Sequence, residues 1–302
     1  MIIMLWIAMK TQLKKMLRHV RKQECRVIAR FTNISSLEVA LAHAKDADDF
    51  GTQLANLLEH RPEIALNVLN ERVKAYLHLA HLGNLVRQFD INFVIDAGAH
   101  SGQFASTLYG YGGYKGEIHS FEPVKKYYDV LAGWLYYYPG WKAYNAALGD
   151  VPGSSVIYLG KGHGGTSSLL NQTDNLQHFA PDCALEGTQE IMVHRVDELF
   201  GEVIDNPDKR VFLKLDVQGF ENRVLASCGD HLSQIKMLQV EMSAITFYKN
   251  QSSLGQLCSD LENAGFAPVQ ISNNFGVRQS IYLDYDFIFV RRQELEKIGL
   301  NP

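Results

Sequence analysis

The chain has 302 residues, enough for one large domain or for one catalytic domain with a small companion. Hydrophobic residues make up 46% of it and charged residues 21%, so the chain can bury a full core and does not have the composition of a disordered protein. The formal net charge of -4 argues against a dedicated nucleic-acid binder, which is usually basic.

The first 30 residues differ from the rest because they carry eight Lys and Arg residues and one acid, Glu24. Within residues 10–30, Leu13, Leu17 and Val20 recur at helical spacing among the basic residues, which predicts an amphipathic basic helix. Two interpretations stay open, a solvated leader and a weak contact of residues 1–30 with an anionic membrane surface. The apolar start precedes its positive charges, which is not the order of a secretory signal.

The pattern from residue 36 to residue 88 is helical and carries no recognisable chemistry. Gly83 predicts a stop or a kink near the end of this run. We therefore predict an N-terminal helical region over residues 1–88, including the basic leader, and a second domain over residues 89–302.

From residue 91 onward short β-rich runs alternate with helical runs, which predicts a parallel sheet covered by helices, an α/β fold. The predicted strands contain the segments INFVIDAG, EIHSFEP, WKAY, VIYL, IMVHRV, VFLKL, MLQVEMS, APVQI and DFIFV. The clearest predicted helices are QFASTLYGY, the run over 124–138, and the run that ends at Gly265. The four cysteines have no paired spacing, which argues against a zinc site or a disulfide scaffold and favours a reducing, cytoplasmic location.

Ligands of such sheets bind at the carboxyl ends of the strands, so the residues that end the strands are the candidates. The first strand ends in Asp96, followed by a turn in which Gly98 and Gly102 allow close approach of a ligand and of the next helix. His100 stands where a dinucleotide-binding fingerprint has its second glycine. The turn therefore argues against a nicotinamide-dependent oxidoreductase.

The second and third strands add the features of a nucleoside site. Glu122, followed by Pro123, ends the second strand, where a carboxylate can accept hydrogen bonds from both ribose hydroxyls. Asn145 and Ala146 end the third strand, where adenine nitrogens can meet a side chain or backbone amides. These features predict an adenosine site without a phosphate cradle, and S-adenosyl-L-methionine is such a ligand.

The segments IDAGAHSGQFA, HSFEP, NAALGD, SSL, LKLDVQGFE and LQVEMS occur in this order, and over about residues 91–292 the chain resembles the FkbM family of S-adenosylmethionine-dependent methyltransferases. The most specific piece is LKLDVQGFE, which is similar to the family's KxDxxGxE segment. The resemblance implies a seven-stranded class I methyltransferase sheet, Rossmann-like, whose last strand runs antiparallel. In this chain the methyltransferase domain would carry an N-terminal helical extension.

The resemblance also implies roles for single residues. Asp96 and Gly98, with His100 and Gly102 in the same turn, would line the methionine end of the cofactor. Glu122 would hold the ribose, with Pro123 beside it, and Asn145 and Ala146 would lie at the adenine. Asp216, at the end of the strand opposite the first, would face the transferred methyl group. The family often has Asn where this chain has His100.

Members of the family typically methylate hydroxyl groups of glycans, polyketides and similar metabolites, so the resemblance implies a small-molecule or glycan acceptor and no nucleic acid. An alcohol must lose its proton during transfer, and the candidates for this step are Asp216, Glu241 and His163, the last in a Gly-rich loop. Glu221 is either a further carboxylate of the site or a helix N-terminal residue. A magnesium ion between Asp216 and Glu241 is conceivable, but two carboxylates alone do not define a metal site.

Two functions of different classes stay open. The first is an O-methyltransferase. The second is a noncatalytic cofactor-binding or scaffold protein that keeps the fold. Retention of Gly98, Glu122 and Asp216 favours the enzyme.

Overall fold

The structure is a computed structural model that describes residues 81–110, 112–162, 165–202, 206, 208–273 and 283–301. The chain separates into two compact units, Met1–His78 and Leu79–Pro302, and the described residues belong to the second. The predicted basic leader, the helices before residue 81 and His163 lie outside the described residues. The predicted division of the chain after residue 88 stays a prediction.

Ten strands are found in the described residues. They are β1 (Phe93–Ala97), β2 (Glu117–Phe121), β3 (Trp141–Tyr144), β4 (Ala147–Leu148), β5 (Gly153–Gly160), β6 (Leu185–His194), β7 (Val211–Leu215), β8 (Ile235–Ser243), β9 (Phe266–Asn273) and β10 (Asp284–Arg291). Each of them overlaps a β-rich run of the sequence except the short β4, which follows the third predicted strand.

Seven of these strands form the main sheet in the order β3-β2-β1-β7-β8-β10-β9. The five neighbouring strands β3, β2, β1, β7 and β8 run parallel to one another, whereas β10 runs antiparallel to both of its neighbours, β8 and β9. Every residue of β1 and of β7 is buried, as expected for central strands of a parallel sheet covered on both faces. The predicted α/β fold and its antiparallel last strand are therefore confirmed.

Seven helices follow β1 in the described residues. They are α1 (Gln103–Gly110), α2 (Lys125–Ala132), α3 (Asp174–Phe179), α4 (Val196–Glu202), α5 (Glu221–Ala226), α6 (Leu254–Asn263) and α7 (Arg292–Lys297). The predicted helix over 124–138 is too long, because α2 ends at Ala132 and Leu135–Tyr137 form a separate 3-10 turn after Gly133. The predicted stop at Gly265 is confirmed by its φ of 87°.

A smaller sheet in the order β4-β6-β5 occupies most of the less regular stretch that follows β3. β5 and β6 pair antiparallel over most of their length, and β4 pairs parallel with β6. This sheet leads the chain away from the main sheet before it returns in β7.

Residues 81–88 are helical, and Leu82, Leu85 and Val86 are buried in the same cluster as Val94 of β1. The helix does not stop at Gly83, so the predicted stop is wrong, whereas the alternative of a kink stays a prediction. A Cβ atom at Gly83 would lie 2.5 Å from the carbonyl oxygen of Gly112, so the glycine allows a close backbone contact. Within the part of the chain that the structure describes, no helix combines the length and apolar character needed to cross a bilayer.

Candidate functional site

The turn after β1 lies at the carboxyl edge of the main sheet and touches the end of β7. Gly98 and Gly102 have φ values of 74° and 86°, which glycine adopts without strain. A Cβ atom at Gly98 would lie 1.8 Å from the carbonyl oxygen of Asp216, so the two backbones meet without room for a side chain. The N–H groups of Gly98 and Ala99 both donate to the carbonyl oxygen of Phe121, which ties the turn to β2.

Glu122, directly after β2, holds this turn from the side. Its Oε2 accepts a hydrogen bond from the backbone N–H of His100 at 2.8 Å, and its Oε1 accepts one from Val124 at 2.7 Å. Burial raises the pKa of Glu122 to about 7, although both hydrogen bonds oppose the shift. Each carboxylate oxygen has two lone pairs, so each keeps one for a further donor such as a ribose hydroxyl.

His100 and Asn145 complete the two sides of the turn. His100 has a φ of 49°, and its ring stacks on Tyr127 with the centroids 3.9 Å apart. Histidine and asparagine are both enriched in this left-handed conformation, which accounts for the exchange relative to the family pattern. The Asn145 side chain donates to the carbonyl oxygens of Glu122 and Pro123, so it joins the ends of β3 and β2.

A row of buried polar side chains crosses the sheet beneath the turn. Ser120, Asp96, Lys214 and Gln239 are successive partners across β2, β1, β7 and β8, so they share one face. The Lys214 ammonium donates to the carbonyl oxygen of Gly98 at 3.0 Å and lies 3.4 Å from Asp96 Oδ1. Asp96 is 0% exposed and also accepts from Ser120, so it supports the turn from below.

Asp216 emerges from β7 above this row. Its side chain is 37% exposed, and its Oδ2 lies 3.3 Å from the Lys214 ammonium. Desolvation raises the pKa of Asp216, but Lys214 and a hydrogen bond from Gln218 outweigh it and hold that pKa below its usual range. Glu241 of β8 shares the same amide donor, and burial together with the charge of Asp216 raises its pKa well above the usual range. When the pair holds one proton, these opposite directions place it on Glu241 and leave Asp216 ionised.

Glu221 caps the turn between β7 and α5 and is not open to the site. Its Oε1 accepts from the N–H groups of Val217 and Gly219, and the residue is 4% exposed. Burial raises its pKa to about 7. Of the two interpretations of Glu221, the structural one fits these contacts.

Of the sequence-predicted residues, Gly98, His100, Gly102, Glu122, Asn145 and Asp216 come together at this edge, with Pro123 and Ala146 in the adjoining segments. Glu241 joins them through Gln218. In the described ranges no group of three or more His, Cys, Asp or Glu side chains is arranged to hold a metal ion. The Gln218 amide donates to both Asp216 and Glu241, and these two carboxyl groups also hydrogen-bond to each other.

Sequence reasoning missed Lys214, Gln218 and Tyr248. The first two lie inside the LKLDVQGFE segment, where a lysine in an otherwise apolar strand is a signal for a buried ion pair. Tyr248 has no such signal, because it follows β8 in a loop and reaches Gln218 only in the folded chain.

Comparison with protein families gives a match over this site. The methyltransferase FkbM domain matches residues 96–268. A methyltransferase FkbM from Methylobacillus flagellatus KT is 17% identical, with 66% of this chain and 44% of that chain covered and a TM-score of 0.40. The chain thus spans less than half of that protein.

Two other solved structures are more distant in sequence. Magnesium protoporphyrin IX methyltransferase from Synechocystis PCC 6803 with bound S-adenosylmethionine is 11% identical, with 74% and 83% of the two chains covered and a TM-score of 0.39. Aeropyrum pernix fibrillarin with natively bound S-adenosyl-L-methionine is 11% identical, with 66% of each chain covered and a TM-score of 0.38.

No curated protein matches the chain. The domain match covers more than half of the 302 residues and includes the turn after β1, Glu122, Asp216 and Glu241. It is this match, rather than the distant structural likenesses, that identifies the protein. The chain belongs to the FkbM family of methyltransferases.

Proposed function

We propose that the protein transfers the methyl group of S-adenosyl-L-methionine to a hydroxyl oxygen of a glycan, a polyketide or another small metabolite. The observation that carries this proposal is the state of Asp216, which is partly exposed, lies against the Gly98 turn and is kept ionised by Lys214. An alcohol loses its proton as its oxygen bonds to the methyl carbon, and an ionised carboxylate beside the cofactor turn can accept that proton.

The residues at the carboxyl edge fit the adenosine part of the cofactor. We assign the ribose hydroxyls to Glu122, whose two oxygens each keep a lone pair after their backbone contacts. The backbone of Gly98, His100 and Gly102 forms the wall of the turn, where the left-handed glycines leave room for close approach. Pro123, Asn145 and Ala146 are assigned to the adenine side. Asp96 acts from beneath, through Lys214.

S-adenosyl-L-methionine supplies a methyl group on a positively charged sulfur, which leaves as a neutral thioether. Asp216 orients the acceptor hydroxyl and takes its proton as the carbon–oxygen bond forms. Orientation of the reacting groups alone contributes about 7 kcal/mol or more in favourable cases. Burial and the charge of Asp216 raise the pKa of Glu241, which favours its protonated form as a hydrogen-bond donor to the same oxygen. His163 stays a second candidate base, outside the described residues.

The test combines cofactor binding with methyl transfer. Calorimetric titration of the full chain with S-adenosyl-L-methionine should show binding, and a labelled-methyl screen over sugars, polyols and polyketide alcohols should show transfer that Asp216→Asn lowers by about 10²-fold or more. Lack of cofactor binding would refute the proposal. Binding without transfer to any hydroxyl compound would favour the noncatalytic alternative.

We also propose that the reaction takes place in the cytoplasm. Cys183, Cys228 and Cys258, the cysteines of the described residues, are free thiols, which suits a reducing compartment. Cell fractionation that recovers the protein outside the cytoplasmic fraction would contradict this assignment.

A further inference from the structure

The side-chain amide of Gln218 lies between the two carboxyl groups of the site. Its Nε2 is 3.0 Å from Asp216 Oδ1 and 2.6 Å from Glu241 Oε2. An amide nitrogen has two hydrogens, so it can donate one to each carboxyl group. The reversed amide would place a carbonyl oxygen against both carboxyl groups, so the donors face them.

Contacts from two other segments fix this amide in place. The hydroxyl of Tyr248 donates to Gln218 Oε1 at 2.8 Å, and the ring of Tyr248 packs against Gly219, where a Cβ atom would be 2.9 Å from it. The hydroxyl of Ser168 donates to the backbone carbonyl of Gln218 at 2.7 Å. Gln218 has a φ of 55°, a backbone conformation that side-chain-bearing residues rarely adopt and that persists only where the surroundings enforce it.

We propose that Gln218 is a positioning residue of the acceptor site: its amide holds the Asp216 and Glu241 carboxyl groups in one arrangement, and Tyr248 holds the amide. The inference rests on the proposed function, because it is Asp216 that meets the acceptor. It goes further in assigning a role to two residues, Gln218 and Tyr248, that touch neither the acceptor nor the cofactor in that proposal.

The charges around the pair favour one shared proton. Lys214 of β7 favours the ionised form of Asp216, while Asp284 and Asp286 of β10 and the buried Glu221 disfavour ionisation of Glu241. While the pair holds one proton, the site presents a hydrogen-bond acceptor on Asp216 beside a donor on Glu241. An alcohol oxygen carries one donor and two lone pairs, so it matches this arrangement. The Gln218 amide stabilises the ionised form of Asp216 by donating a hydrogen bond to it.

The test measures the titration of the pair in the full chain. Carboxyl carbons of Asp and Glu are labelled with carbon-13 and followed by NMR against pH, with the two signals assigned through Asp216→Asn and Glu241→Gln. Loss of one hydrogen bond to a charged group in Gln218→Met should raise the pKa of Asp216 by about one unit, a tenfold gain in proton affinity. Tyr248→Phe keeps the ring over Gly219 and should give a smaller rise in the same direction.

The control is Gln234→Met, because Gln234 is an exposed glutamine that contacts His231 and lies outside the site. It should leave the Asp216 titration unchanged. A purely structural Gln218 would lower the melting temperature without moving that titration, and this outcome overturns the inference. If Gln218→Met does not fold, an unchanged Asp216 titration in Tyr248→Phe overturns it instead. Failure of the wild type to bind S-adenosyl-L-methionine would contradict the proposed function, whereas binding with unmoved titration contradicts only this inference.

Discussion

Replacement of Lys214 by methionine tests the buried row beneath the cofactor turn. Methionine preserves most of the apolar stem but removes the ammonium group, which lies 5.7 Å from the centre of the Phe104 ring. The substitution thereby removes the hydrogen bond to Gly98 and the contacts with Asp96 and Asp216. Asp216 is partly exposed and recovers solvation, so most of the effect falls on Asp96, which has no exposed surface. Removal of one partner from a buried ion pair typically destabilises a protein by about 3–5 kcal/mol, and we expect this range near neutral pH.

The pH dependence of that loss has a definite sign. Burial already raises the pKa of Asp96 against the opposing effect of Lys214, so without Lys214 the pKa rises further. A carboxyl group whose folded pKa lies above its unfolded value destabilises the fold as pH rises through the folded value. The free energy of unfolding of the variant should therefore be close to that of the wild type at acidic pH and lower than it toward neutral pH.

Urea unfolding followed by tryptophan fluorescence measures this effect. The indole of Trp141 donates to Ser120, which in turn donates to Asp96, so the fluorophore lies in the same network. The double variant Asp96→Asn with Lys214→Met removes both charges and should recover about 2 kcal/mol relative to Lys214→Met alone. Equal destabilisation of the single and double variants would refute the pairing of Lys214 with Asp96.

Three further predictions concern single carboxylates. Asp216→Asn should weaken S-adenosyl-L-methionine binding far less than it lowers methyl transfer, which should fall by about 10²-fold or more, and near-normal turnover in a labelled-methyl assay would remove Asp216 as the base. Glu122→Ala should weaken cofactor binding by about 2–3 kcal/mol in calorimetry, and it should also lower the melting temperature because it leaves two backbone N–H groups without their acceptor. Glu221→Gln keeps Oε1 as the acceptor of both backbone N–H groups but cannot ionise. Since the pKa of Glu221 is raised to about 7, its destabilising charge develops as pH rises from the unfolded value through 7. The glutamine variant should gain stability over the wild type near pH 8, by at most about 3 kcal/mol, and urea unfolding at several pH values that shows no such gain would contradict the burial argument.

The sheet could be predicted from the sequence because its central strands are short apolar runs that end in glycine turns. The same pattern predicts that Glu122 and Asp216 lie at one edge of the sheet, since both directly follow such runs. The end of α2 could not be predicted, because the aromatic residues after Gly133 continue the helical spacing while the backbone changes to a 3-10 turn.

The network behind the site depends on strand register, which the sequence does not state. Lys214 meets Asp96 only because β1 and β7 pair with these residues opposite each other. Gln218 contacts Tyr248 only because the loop after β8 folds back over Gly219. Glutamine and tyrosine in loops have no pattern of their own, so their partners emerge only from the three-dimensional arrangement.

The Lys214 ammonium is shared between the carbonyl oxygen of Gly98 and the carboxylate of Asp216, and this sharing makes cofactor binding and protonation thermodynamically linked. Linkage is reciprocal, so a factor by which the bound cofactor changes the proton affinity of Asp216 must equal the factor by which protonation of Asp216 changes cofactor affinity. A positively charged sulfur at the turn favours the deprotonated carboxylate, whereas the neutral thioether product does not. At acidic pH, where Asp216 is partly protonated, binding of the substrate form of the cofactor should therefore release more protons than binding of the product form, and calorimetry in buffers of unequal ionisation enthalpy counts this difference directly.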